Sequence, residues 1–196
     1  MLNRSPVRGF TLIELLVALT IVGIGVAMAM PSFSGMLQNA KLGSSTKSYL
    51  LGIQTARAEA IRRNLPVEFV LTSSPAASGA AATPAANGQN WVVRVANPVT
   101  LIEAKSAQEG SGQSGGSSVL VAGTSSGTFA GTVAFNGLGA TTAGEAVTLD
   151  VTNPAGGDCV AAGGPMRCQR IQVRPGGQVH VCDPHAATGD SRACPP

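Results

Sequence analysis

Apolar residues run almost without interruption from Phe10 to Met30, and the period of the pattern changes twice after that. The first stretch is about twenty residues, long enough to cross a bilayer as a helix. Beyond Pro31, Phe33, Met36, Leu37 and Ala40 recur at helical spacing, and Leu50, Ile53, Ala56, Ala60 and Ile61 continue it. A weaker small-residue stretch, Gly43-Ser44-Ser45-Thr46, lies between them. Ala56 to Arg63 is rich in helix formers, and its two closing arginines complement the negative end of the helix dipole. Asn64-Leu65-Pro66 ends the pattern, because the residue before proline avoids the α region. The spacing predicts one helix from about Thr11 to Arg63, roughly 80 Å long at 1.5 Å per residue. Pro31 is expected to kink it.

After Pro66 the period becomes two. Strands are predicted at Val67–Leu71, Trp91–Val95, Ser118–Val121, Thr132–Phe135, Ala146–Thr152, Arg170–Arg174 and Gln178–Cys182. Pro175-Gly176-Gly177 supplies a hairpin turn between the last two. Residues 74–88 and 110–118, low in complexity and rich in turn formers, are expected to be flexible loops. A long helix followed by a run of mainly antiparallel strands is an α+β arrangement.

Composition narrows the reading without naming a chemistry. The chain has 196 residues, room for one domain and an extended helix. Only 12% are charged, with 13 basic against 10 acidic side chains. This balance does not by itself indicate a polyanion partner. No nucleophile motif, phosphate-binding glycine loop or convincing pair of catalytic carboxylates is present, so neither an enzyme nor a cofactor is expected.

One acid interrupts the apolar stretch. Glu14 stands near its start, where a carboxylate costs roughly 2.5–3.5 kcal/mol in hydrocarbon. An α-amino group freed by a cut between Gly9 and Phe10, on another subunit, would be a natural partner. Snorkelling to the interface is the plainer explanation for Glu14. A secretory signal wants a small-x-small site after its apolar run, and Met28-Ala29-Met30-Pro31 is a poor one. An ordinary anchor has no reason to keep Glu14, and a buried core helix does not need Arg4 and Arg8 before it.

The stretch RGFTLIELLVALTIVGIGVAMAMP resembles the type IV pilin N-terminus: a basic leader, Gly9 at the cut, Phe10 at the new first position, Glu14 and Pro31. The resemblance implies that a prepilin peptidase cuts after Gly9 and that the Phe10 amine is methylated, giving an N-methylphenylalanine. A Trp strand after a long polar loop, the Phe135-Asn136-Gly137-Leu138-Gly139 turn and a closing strand-turn-strand with cysteines resemble the GspH/FimT branch. That branch implies a type IV pilin-like fold, a helical spine carrying a β-sandwich or two-sheet head. The positive flank stays cytoplasmic, so the chain after Pro31 is expected in the periplasm of a Gram-negative cell. Loss of Arg4 and Arg8 leaves 11 basic side chains against 10 acidic.

Cys159, Cys168, Cys182 and Cys194 allow three pairings. Cys159–Cys168 and Cys182–Cys194 are favoured, each closing a short loop, and an oxidising compartment suits them. A metal site using His180 and His185 lacks paired CxxC spacing and is not expected. Arg167, Arg170, Arg174, His180 and Arg192 form the one basic cluster. DNA-binding minor pilins of the FimT side imply a Gly-Arg-x-Arg motif in the last hairpin. The matching residues are Gly177-Gln178-Val179-His180, with both arginines absent. Arg170, Arg174, Gln178 and His180 are therefore weak candidates for DNA contact, since phosphate neutralisation needs cations.

The expectation is a minor pseudopilin or minor pilin of a type II secretion pseudopilus or type IV pilus, with DNA capture during natural transformation as the alternative. Its organisation would be a leader over 1–9, a transmembrane half-helix over 10–30, an amphipathic half over 31–65 and a β-rich periplasmic domain over 66–196. Expected partners are other pilin or pseudopilin subunits, the prepilin peptidase/methyltransferase, an inner-membrane assembly platform and membrane lipid.

Overall fold

A computed structural model describes residues 10–74, 76–106, 120–125, 129–187 and 189–195. One helix, α1, runs from Leu12 to Arg63. Its limbs Leu12–Met28 and Phe33–Arg63 differ in direction by 43°. Neither limb alone is long and apolar enough to cross a membrane, while the bent pair together is, by length and composition. Asn64 ends the helix in the left-handed region, and its N–H bonds the Ala60 and Ile61 carbonyls. Asparagine tolerates that conformation better than most residues with a side chain.

Eight strands follow: β1 (Val67–Thr72), β2 (Asn90–Val95), β3 (Thr100–Lys105), β4 (Leu120–Ser125), β5 (Thr132–Phe135), β6 (Val147–Thr152), β7 (Gln169–Val173) and β8 (Val179–Cys182). They form two four-stranded antiparallel sheets, ordered β3-β2-β1-β5 and β4-β6-β7-β8. The expected strands are present, β5 with the expected ends and the others with shifted ones. Ser118–Val121 becomes Leu120–Ser125, and residues 110–118 lie outside the described set. β3 has no counterpart among the sequence expectations. It is an edge strand with no fully buried residue, so alternation gives it little signal.

Both sheets pack on the second limb of α1, and one core joins all three layers. The buried stripe is Leu42, Thr46, Tyr49, Ile53, Ala56 and Ala60, at alternating spacings of four and three. It differs from the expected stripe at both ends. Phe33, Met36 and Leu37 are exposed, and so is Ile61. The weak stretch around Gly43 supplies a buried residue, Thr46, whose hydroxyl donates back to the Leu42 carbonyl at 3.0 Å. Tyr49 Oη donates to the Gln89 carbonyl at 2.9 Å, and Trp91 Nε1 donates to Ser48 Oγ at 3.0 Å. Burial pushes the Tyr49 phenol well above its ordinary range.

β1 is buried on both faces. Phe69 and Leu71 face α1 beside Trp91, while Val70 and Val92 lie under Ala82 on the far side. Ala82 arrives on the stretch 74–88, which carries short 3-10 turns over Ala76–Ala81 where an unstructured loop is expected from sequence. Arg94 holds this cover down. Its Nη1 donates to the Ala80 and Ala82 carbonyls at 2.8 and 3.1 Å, and its Nε donates to Glu68 at 3.0 Å. Disulfides join Cys159 to Cys168 and Cys182 to Cys194, as favoured from sequence.

Gly52 sits where α1 crosses the Phe69 and Trp91 rings, and a Cβ there would lie 2.8 Å from Phe69. A Cβ on Gly43 would meet nothing within 4 Å. Gly52→Val should therefore lower stability by about 2 kcal/mol. Gly43→Ala should raise it by about 1 kcal/mol through helix propensity alone. Thermal or urea unfolding of the full chain in detergent reads both.

At the end of α1, Arg62 and Arg63 hold the Glu59 carboxyl down to about 2 from 4.5. A depressed carboxylate stabilises the fold above its unfolded pKa and loses that contribution as pH falls through its folded one. Glu59→Gln should cost about 0.5–1 kcal/mol above pH 5, less at pH 3 and nothing below pH 2, compared by unfolding at each pH.

Candidate functional site

The chemistry singled out from sequence falls in two places, the start of α1 and the last hairpin. At the start of α1, Thr11 is the N-cap, with φ −81° and ψ 154°. Its hydroxyl accepts from the Glu14 N–H at 3.3 Å, and Glu14 Oε2 accepts from the Thr11 N–H at 3.5 Å. This reciprocal capping box gives Glu14 a partner within its own chain. Sequence reading passed over it, although Thr-x-x-Glu before an apolar run is its signature. Phe10 immediately precedes the cap and is 84% exposed. Gly9 lies outside the described residues, as do the side chains of 29–32, Pro31 included.

From Leu12 to Met28 every residue of α1 is exposed, and the large apolar side chains stand bare on all sides. The head first grips the helix around Gln38. Asn153 Nδ2 donates to the Gln38 carbonyl and to Gln38 Oε1 at 3.2 and 2.9 Å. One turn face along, Asn39 donates to the Pro165 carbonyl at 3.1 Å and accepts from the Arg167 N–H at 2.8 Å. Beyond the side chains of 29–32, Phe33, Met36 and Leu37 are exposed again, ahead of this grip.

At the last hairpin the candidate DNA contacts do not form a free cationic face. Arg170 lies on β7 opposite Asp150 on β6, and donates to both carboxylate oxygens at 2.6 and 3.0 Å. That carboxylate raises the Arg170 pKa further. Arg170 is thus one half of an ion pair, its charge already matched by Asp150. Arg174 follows the end of β7 and is itself engaged by another group. Gln178 precedes β8, and His180 is exposed on it. Arg192 is paired with Asp190 at 2.7 Å, and holds that carboxyl down to about 2. No group of three or more metal-ligating side chains occurs among the described residues.

Two family profiles match. Residues 4–30 match the prokaryotic N-terminal methylation motif, and residues 46–177, more than half of the chain, match the type II transport protein GspH. The chain belongs to the GspH family. No curated protein sequence matches it. Among solved structures it is similar to the type IV minor pilin FimU of Pseudomonas aeruginosa in two crystal forms. One is 10% identical, with 71% of this chain and 90% of that chain covered and a TM-score of 0.48. The other is 11% identical, with 72% and 88% covered and a TM-score of 0.47. This GspH-family chain is a minor pseudopilin or pilin subunit, a structural protein that associates with other pilin subunits. Its α+β fold, a long helix carrying two antiparallel sheets, is the one expected from sequence.

The Arg170–Asp150 pair is one-third exposed on each side. Arg170→Ala and Asp150→Ala should each cost about 1 kcal/mol, and the double variant little more than either. Unfolding of the two single variants and the double variant checks this.

Proposed function

We propose that the precursor is cut between Gly9 and Phe10 by a prepilin peptidase, that the new Phe10 amine is methylated, and that the first limb of α1 holds the subunit in the inner membrane. The observation that carries this reading is the apolar limb of α1, bare from Leu12 to Met28 and again at Phe33, Met36 and Leu37, with its single acid three residues into the helix. Side chains exposed on all sides of a helix need lipid before assembly and other helices afterwards. The methylation motif over residues 4–30 supports the same processing. An inner-membrane assembly platform would then move the subunit from lipid into a pseudopilus or pilus, with residues 66–196 in the periplasm.

Glu14 acts in that transfer. In the isolated subunit its carboxylate caps its own helix through Thr11. On assembly it pairs with the α-amine of a neighbouring subunit, because a carboxylate among packed helices is far less costly beside an ammonium. Pro31 acts as a joint between the limbs. It has no N–H to give, and its ring crowds the carbonyl four residues back. The 43° change of direction across residues 29–32 supports this role.

The variants Glu14→Ala and Glu14→Gln separate cap from charge. Gln keeps a capping box and loses the charge. Both variants should be cleaved normally, and both should enter sheared filaments at least about tenfold less than the native chain, since an unmatched buried charge is strongly destabilising. Immunoblots of membrane and filament fractions read the result. Native incorporation of Glu14→Gln would leave the cap as the whole role of Glu14.

A further inference from the structure

β8 closes the second sheet and, among the described residues, pairs with no strand on its outer side; only the C-terminal turn reaches that side, where the Asp183 N–H just past β8 bonds the Arg192 carbonyl. The Arg174 N–H bonds the Gln178 carbonyl, so these two residues face each other as a bonded pair. Alternation along an antiparallel ladder then makes Gln172 with His180, and Arg170 with Cys182, the next bonded pairs. The N–H and C=O groups of Val179 and Val181 point away from β7, toward the open edge. The stretch of this edge from Val179 to Val181, which the C-terminal turn leaves unpaired among the described residues, is a template for another strand.

A groove of about 580 Å³ runs along that edge, between β8 and the last turns of α1. Gln54, Arg57, Ala58 and Ile61 line it from the helix, and Val179 and His180 from the strand. Ile61 is half-exposed there, with one side against Gly139 and the other open to the groove. Arg57 is half-buried in the groove wall. Its Nε donates to the Gly139 carbonyl at 3.0 Å, and no carboxylate is within ion-pair distance of it among the described residues. The chain's other half-buried arginines, Arg94 and Arg170, each have a carboxylate partner apart from Arg174, which is engaged otherwise. The groove also carries no acid among its lining residues. A partly desolvated guanidinium whose Nη groups have no partner among the described residues favours a carboxylate supplied from outside.

We infer that this groove takes an extended segment of a neighbouring, different pilin-like subunit. The segment adds to β8 as a strand, places an aliphatic side chain against Ala58 and Ile61, and brings a carboxylate to Arg57. Main-chain bonds to Val179 and Val181 give the affinity, and Arg57 gives the choice of an acidic segment. The occupant is a protein strand and not nucleic acid, because an edge ladder pairs with peptide groups and the surrounding cations are few. This inference rests on the subunit role proposed above, and adds to helix packing a contact made by the head.

The test uses the full chain in its own host, with the photo-cross-linking residue p-benzoylphenylalanine at Ala58, and at Val99 in the turn before β3 as a control. Light should join Ala58, and not Val99, to one protein that carries an N-terminal methylation motif. Mass spectrometry should place the joined peptide in a segment with an Asp or Glu. Arg57→Glu should lower the adduct about tenfold. Because Arg57 also holds Gly139, Val181→Pro serves as a second variant. It removes one outward N–H while leaving the β7 ladder intact, and should lower the adduct to a similar degree. Unchanged thermal unfolding of Val181→Pro separates loss of docking from loss of fold. An adduct only with copies of this chain, only with nucleic acid, or equally strong in both variants would overturn the inference. Native entry into sheared filaments, scored in the same cells, keeps the two readings apart. Entry without the adduct sinks the groove alone, and no entry at all sinks the subunit role.

Discussion

The close approach of α1 to the Phe69 and Trp91 rings sets the geometry of the whole head. Those rings lie 5.8 Å apart between centroids, and Gly52 is the residue that lets the helix backbone reach them. Ala56 and Ala60 continue the same small-residue face. With so little side-chain bulk on the helix, one element can seal the inner faces of both sheets at once. The sheets could not share a single core otherwise, since few aromatics are available to fill a wider gap. Everything beyond the core follows from this seating. The Asn136–Gly139 turn docks on the helix end, where Arg57 meets the Gly139 carbonyl. Gly139 and Gly177 both take positive φ, and a Cβ on Gly177 would strike the Gly139 carbonyl. The β7–β8 hairpin is thereby held beside the last helical turns.

Much of this was legible in the chain because helix and strand periods are strong where one face is buried. The limits of α1, the presence of β1, the span of β5 and the pairing of the four cysteines all carried local signals. The stripe was read less well. Phe33, Met36 and Leu37 have helical spacing, yet the head begins only at Gln38, and where a domain starts to cover a helix is a tertiary matter. β3 and the cover over β1 were missed for a related reason. Alanine, glycine and proline in 74–88 look like linker, and only the Arg94 bonds and the buried Ala82 make them part of the fold.

At the candidate sites the same division holds. Glu14 and Phe10 stand out in one dimension because the rest of their neighbourhood is apolar. The capping box is equally visible in one dimension as Thr11-x-x-Glu14. Arg170 looked like a free cation because Asp150 is twenty residues away in sequence and adjacent only across a ladder. Nothing in the sequence sets Arg57 apart, and its lack of an acidic partner among the described residues emerges only in three dimensions.

The short link between α1 and β1 has a mechanical side. Asn64, Leu65 and Pro66 join the end of the helix to the strand that lies between β2 and β5. Tension drawn along the spine passes through three residues into the most enclosed strand of the head. Its ladders on both sides then resist together, in shear, and do not open one bond at a time. A subunit built this way behaves as a rivet: it can be drawn by its shank while the head keeps its shape.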